Sequence, residues 1–197
     1  TKNQSYNTTY VHRGLSFESA LLDAVLCLNE GSKQVLVGAA DELTPSSVVI
    51  QRRLGLLMDI KAGEGAHFFI LSSEEEPNTN AALIDLETFV GKCTPDEILR
   101  RIDRFLVRGS REHSFVDFFM CGVNKKDKQQ KLYKQLEHHI VHPNVFTFKD
   151  ESGEYPTASA YGLWKASVFL KEQKKGTSML IYNQYNGINH SLILLQR

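Results

Sequence analysis

Apolar positions along this chain switch repeatedly between a helical crowding and short continuous runs. From Ser16 to Asn29 they are dense: Phe17, Ala20, Leu21, Leu22, Ala24, Val25, Leu26, Cys27 and Leu28. That is too many for one stripe of a helical period, so the segment is expected to be a helix buried on most of its circumference. Ser16 is its expected N-cap, Ser19 stands where a capping-box acid would sit, and Glu18 suits the positive end of the helix dipole. Gly31 stops the helix, and Val35-Leu36-Val37 follows as a strand covered on both faces. A buried helix feeding a buried strand through a glycine turn marks a layered α/β protein.

The same alternation continues to the end. Thr44-Pro45 opens a loop or short helix, Gly63 and Gly65 bracket a tight turn, and His67 to Leu71 reads as a strand. Ser72 to Asn80, SSEEEPNTN, is polar and divides the chain into residues 1–76 and 77–197. Beyond it Ala82 to Val90 reads as a strand. Thr94-Pro95-Asp96-Glu97 starts a helix with an N-cap Thr, a Pro at the first helical position and acids in the first turn, and that helix runs to Gly109. Phe115 to Cys121 reads as a strand, Lys128 to Ile140 as a helix, Val145 to Phe148 as a strand and Ala158 to Lys171 as a helix of small residues. Met179 to Tyr182 and Ser191 to Leu195 are the last strands. The second part is β-α-β-α-β-α-β-β, and the first is α-β-β, the tail of the same order. The chain thus reads as an internal repeat whose first copy is truncated.

Composition narrows the function classes. The 197 residues carry 23 basic and 23 acidic side chains, so no global field argues for nucleic acid or an anionic membrane. No apolar run approaches the ~20 residues of a membrane span, and the polar first residues are unlike a signal peptide. Cys27, Cys93 and Cys121 form no CxxC or paired framework, so a reducing, cytoplasmic setting is the default expectation. TKNQSYNTTY, without Met, reads as the middle of a larger domain.

Four stretches carry a family resemblance. They are Val35-Leu36-Val37-Gly38-Ala39, then Gly63-Glu64-Gly65-Ala66 before Phe68-Phe69-Ile70-Leu71, then Lys149 to Glu154 with Ala158, Ala160 and Gly162 behind, and Asn183 to His190 before a final apolar strand. In this order they resemble the last half of a β-ketoacyl synthase, a condensing enzyme of fatty-acid and polyketide assembly. The resemblance implies an α/β, thiolase-like layered αβαβα architecture with mixed sheets and a truncated first repeat half. It implies an acyl carrier protein and a ketosynthase-like partner or homodimer as partners, no cofactor and no metal.

The chemical positions depart from the family. Such an enzyme needs a thiolate at the N-terminus of the first buried helix, and two histidines to stabilise the thioester oxyanion and assist decarboxylation. The nucleophile position falls on Gly14, the first histidine position on Cys121 before Gly122, and the second on Glu154 after Gly153. Lys149 is retained, and the closing loop, about two residues short, has Tyr185 where a Phe is usual. Lys149, Asn183, Tyr185, Asn189 and His190 are the pocket candidates. Glu154 is expected to pair with Lys149, since a carboxylate beside an ammonium is a poor proton donor. The resemblance therefore implies a non-catalytic subunit comparable to a chain-length factor. One alternative is an active condensing or acyl-transfer enzyme whose nucleophile is Cys121 or lies in a missing N-terminal part; Cys121 also reads as a small apolar filler at a strand end. Another is a non-enzymatic dimerising scaffold. His12 reads as a loop histidine. His138 and His142 have helical i,i+4 spacing without a third ligand, and Lys125, Lys126, Lys128, Lys131 and Lys134 form a solvated basic face that could dock an acidic carrier protein.

Overall fold

The computed structural model describes residues 6–56, 60–110, 116–123, 130–140 and 144–197. A short 3-10 turn, Arg13–Leu15, leads into α1 (Ser16–Asn29). Then come β1 (Gln34–Asp41), α2 (Pro45–Arg53), β2 (Gly65–Ser72), β3 (Ala82–Val90), α3 (Pro95–Ser110) and β4 (Phe118–Gly122). The chain continues through α4 (Gln130–His139), β5 (Asn144–Thr147), α5 (Lys149–Ser152), α6 (Ala158–Lys171), β6 (Ser178–Tyr185) and β7 (Asn189–Gln196).

Five strands form a mixed sheet in the order β3-β7-β6-β4-β5. β4 runs parallel to both of its neighbours and β7 antiparallel to both of its own. Side chains alternate between the two faces of each strand, so each face builds its own core. On one face Ile98, Ile102 and Phe105 of α3 and Leu132 and Leu136 of α4 pack on Phe119, Cys121, Tyr182 and Leu192. On the other, Phe17 and Leu21 of α1 and Leu163, Ala166 and Leu170 of α6 pack on Met120, Ile181, Ile193 and Leu195.

β1 and β2 form a separate antiparallel pair, in register from Gln34↔Ser72 to Asp41↔Gly65. Val37, Phe69 and Leu71 join the core of α1 and α6, so these two helices lie between the two sheets. Four layers result: α3/α4, the five-stranded sheet, α1/α6, and β1/β2. α6 can lie close because its residues are small: a Cβ at Gly162 would fall 2.9 Å from the Phe148 ring.

Local signals explain most element boundaries. At the start of α3 the capping box is complete: Glu97 N donates to Thr94 Oγ1 at 3.3 Å, and Thr94 N donates back to Glu97 Oε2 at 2.7 Å. Three expectations need correction. α1 is not buried on most of its circumference, because Leu22 and Leu26 are each 50% exposed where neither sheet covers the helix flank. Ser16 is not its N-cap but its first residue; its hydroxyl accepts from His12 N and donates to Arg13 O, closing the preceding 3-10 turn. β1 does not have both faces covered: Leu36 stands 71% exposed on the side away from α1. Phe115, Lys125, Lys126, Lys128 and His142 lie outside the described residues.

Candidate functional site

The candidate site lies where the 3-10 turn before α1, the end of β6, the start of β7 and the segment from Lys149 to Ser159 meet. Each wall has a local cause. Asn186 and Gly187, at φ of 54° and 67°, turn β6 directly back into β7, leaving Tyr185 and Asn189 as a cross-strand pair at the tip. Glu154 is held by its backbone against the segment before β2: its N donates to Lys61 O at 2.8 Å and its O accepts from Gly63 N at 3.1 Å. Gly63 permits this approach, since a Cβ there would lie 2.0 Å from Ser152 O. At the start of α6, Thr157 donates from N and Oγ1 to Asp41 Oδ2, tying the end of β1 to the helix N-terminus.

At the centre is the expected pair. Lys149 Nζ lies 2.8 Å from Glu154 Oε1 and 3.0 Å from Oε2, and both side chains are buried. Its third contact is to Gln184 O. A lysine ammonium has three N–H donors, and these contacts use all of them, leaving none for a substrate oxygen.

Gly14 faces Tyr185, the residue after the carbonyl that Lys149 contacts. An ideal Cβ on Gly14 would lie 2.6 Å from Tyr185 Cβ, so the space a side chain at residue 14 would need is already filled. Burial raises the pKa of the Tyr185 phenol, with the charges of Glu154 and Asp41 adding to the effect.

Glu18, taken above as a dipole-favouring acid, is fully buried on α1, and its Oε1 accepts from Ser191 Oγ of β7 at 2.7 Å. Its Oε2 and the neighbouring Ser159 Oγ have no hydrogen-bond partner. Burial raises the Glu18 pKa, against the opposing effects of Ser191, Ser159 and the Lys149 charge. A neutral Glu18 would leave the Lys149–Glu154 pair balanced in charge. The only sequence signal was an acid in the first turn of a helix rich in apolar residues.

The alternation of β6 and β7 sorts the remaining candidates. Ser191 faces Glu18, so Asn189 and Tyr185 share that face. Asn183 does too, and its Oδ1 would stand 2.7 Å from a Cβ at Gly122. His190 points to the opposite face. Its Nδ1 meets Tyr182 OH at 2.9 Å, its Nε2 meets Gly91 O at 3.0 Å, and its ring stacks on Phe89 at 4.6 Å. Burial lowers its pKa, and the neutral ring accepts from Tyr182 and donates to Gly91. Cys121 also lies on the α3/α4 face, fully buried beside Tyr182. The structure thus brings Lys149, Glu154, Asn183, Tyr185 and Asn189 to the Gly14 side and separates Cys121 and His190 from it.

Of the remaining candidates, His12 Nδ1 meets Ser19 Oγ at 2.8 Å and is exposed. His139 Nε2 pairs with Asp103 at 2.8 Å. Among the described residues no three His, Cys, Asp or Glu side chains gather in a metal-binding group. No described helix is long and apolar enough to cross a membrane.

No protein-family model matches this sequence, and no curated protein sequence matches it. Solved structures do match in fold. A β-ketoacyl synthase from Burkholderia phymatum superposes with a TM-score of 0.72 at 14% identity, over 94% of this chain and 60% of that one. The ishigamide ketosynthase/chain length factor gives 0.70 at 16%, over 96% and 59%. A type II polyketide acyl carrier protein in complex with its ketosynthase, bound to the hexaketide, gives 0.70 at 14%, over 97% and 59%. The chain therefore has a thiolase-like, β-ketoacyl-synthase-like fold, and spans about six-tenths of the length of these solved chains. At these identities the likeness is one of fold.

Proposed function

We propose that this chain is a ketosynthase-like subunit that does not itself condense acyl groups, comparable to a chain-length factor. In this reading it works beside a ketosynthase-like partner, or a second copy, on acyl groups carried by an acyl carrier protein in fatty-acid or polyketide-type biosynthesis. The observation that carries it is the entry to α1. In this reading the nucleophile position falls on Gly14, in the turn just before α1, and Tyr185 fills the space its side chain would need. The Lys149–Glu154 pair supports the same reading, because a committed ammonium and its carboxylate replace a proton-donating group. Residues 1–76 and 77–197 then act as the two unequal halves of one repeat. A reducing cytoplasm suits three cysteines with no disulfide among them.

The alternative nucleophile gains no support: Cys121 is fully buried on the far face of the sheet from Gly14. The test is incubation of the protein with acyl and malonyl thioesters on carrier protein, alone and with a ketosynthase. No condensation by the protein alone is expected, together with altered product length when it accompanies the ketosynthase. Condensation by the isolated protein overturns the reading.

A further inference from the structure

Gly14 and Tyr185 stand closer than any side chain at residue 14 allows. The ideal Cβ at Gly14 lies 2.6 Å from Tyr185 Cβ, 2.6 Å from Cδ1 and 2.7 Å from Cγ. The conflict is with the root of the tyrosine side chain, whose Cβ is set by the backbone, so a change of rotamer does not relieve it. Both sides of the contact are anchored independently. Tyr185 is held in β6 by its pairing with Asn189, and the carbonyl before it accepts from Lys149 Nζ. The turn that carries Gly14 is closed by Leu15 N donating to His12 O at 3.1 Å, with Arg13 at φ 53° and its carbonyl accepting from Ser16 Oγ. Neither wall can retreat without breaking these bonds.

We infer that Tyr185 is the seal of the helix entry: the reactive end of an acyl thioester is kept from residue 14 by packing as well as by the missing thiol, and a thiol restored at residue 14 becomes reactive only when residue 185 loses its side chain, Cβ included. This rests on the function proposed above and adds a steric cause to the chemical one. It assigns to Tyr185 the role of excluding ligand from the end of the site where acyl transfer would begin.

The test uses the full chain with Cys27→Ser and Cys93→Ser, so that the buried Cys121 is the remaining native thiol. Gly14→Cys is compared with Gly14→Cys/Tyr185→Gly for alkylation at residue 14 by iodoacetamide, mapped on peptides. The sulfur displaces iodide, one S–C bond forms, and the thiol proton passes to buffer. The double variant is expected to react at least about tenfold faster at residue 14, because a thiol closed off from reagent is inert. Equal rates overturn the inference. Should Gly14→Cys not fold, the decision passes to a thermal-unfolding cycle with Gly14→Ala. That substitution is expected to lower Tm much more in the native chain than in a Tyr185→Gly chain, and equal lowering in both overturns the seal. Condensation by the native protein would instead remove the proposed function, so the two failures are distinguishable.

Discussion

Two antiparallel strand pairs each follow a helix of the middle layer, and their surroundings differ. β6–β7, after α6, has β4 on one edge, β3 on the other and helices on both faces, and every residue of Met179–Tyr185 and Asn189–Leu195 is buried. β1–β2, after α1, has a helix layer on one face. On its other face Leu36, Phe68 and Ile70 are 71%, 64% and 70% exposed, and among the described residues no third strand joins either edge. Both pairs pack against a middle-layer helix, although α2 separates β1 from β2 while a short turn joins β6 to β7; what sets their burial apart is the layer outside them. An apolar strand states that it can be buried, not that it is.

The sharpest way to break this comparison is to remove one partner from the ion pair beneath β6. Glu154→Ala leaves the Lys149 ammonium buried without its carboxylate and is expected to cost about 3–5 kcal/mol in denaturant unfolding. Glu75→Ala, which removes an exposed pair with Lys175 just after β2, is expected to cost under about 1 kcal/mol in the same assay. A comparable loss for the two would show that the site is not the better-packed region.

Next in size is a matched truncation. Ile193→Ala, fully buried in β7, is expected to cost about 2–5 kcal/mol. Ile70→Ala, on the open face of β2, is expected to change stability by no more than about 0.5 kcal/mol. A large loss at Ile70 would mean that something covers that face in solution. Amide hydrogen exchange makes the same comparison without substitution: protection in β7 should approach that of global unfolding, with β2 exchanging through smaller openings.

The smallest expected effect concerns pH. Burial raises the Glu18 pKa above its ordinary value near 4.5. The native state then keeps a proton that the unfolded chain has released, so this contribution is complete below about pH 4.5 and is lost as pH rises through the folded pKa. Glu18→Gln is expected to flatten the fall in stability above about pH 4.5, measured by thermal unfolding across buffers. His190 has the opposite sign: its lowered pKa gives a contribution that is complete above about 6.5 and is lost as pH falls below it. An unchanged profile in Glu18→Gln would show that Glu18 titrates no differently in the folded and unfolded chains.

Much of the fold was readable along the chain because its signals are local. The capping box at Thr94, the turn residues Asn186 and Gly187, and the small residues of α6 each act within a few positions. The Lys149–Glu154 pair, five residues apart, was readable for the same reason. Glu18 was not: its partner Ser191 is 173 residues away, and a first-turn acid looks the same whether it faces water or the core. His190, a pocket candidate in the sequence, lies on the other face of the sheet for a related reason. Strand alternation reveals that a segment has two faces but does not say which of them meets α1.

The sequence by itself determined the order of elements, the glycine at the entry of α1 and the acid five residues after Lys149. Only the tertiary structure decided that Tyr185 closes over that glycine, that Glu18 is buried against Ser191, and that β1–β2 keeps one face open. The first group depends on the preferences of neighbouring residues. The second depends on which distant surfaces share a volume, and packing at that density leaves one side chain room only where another gives it up.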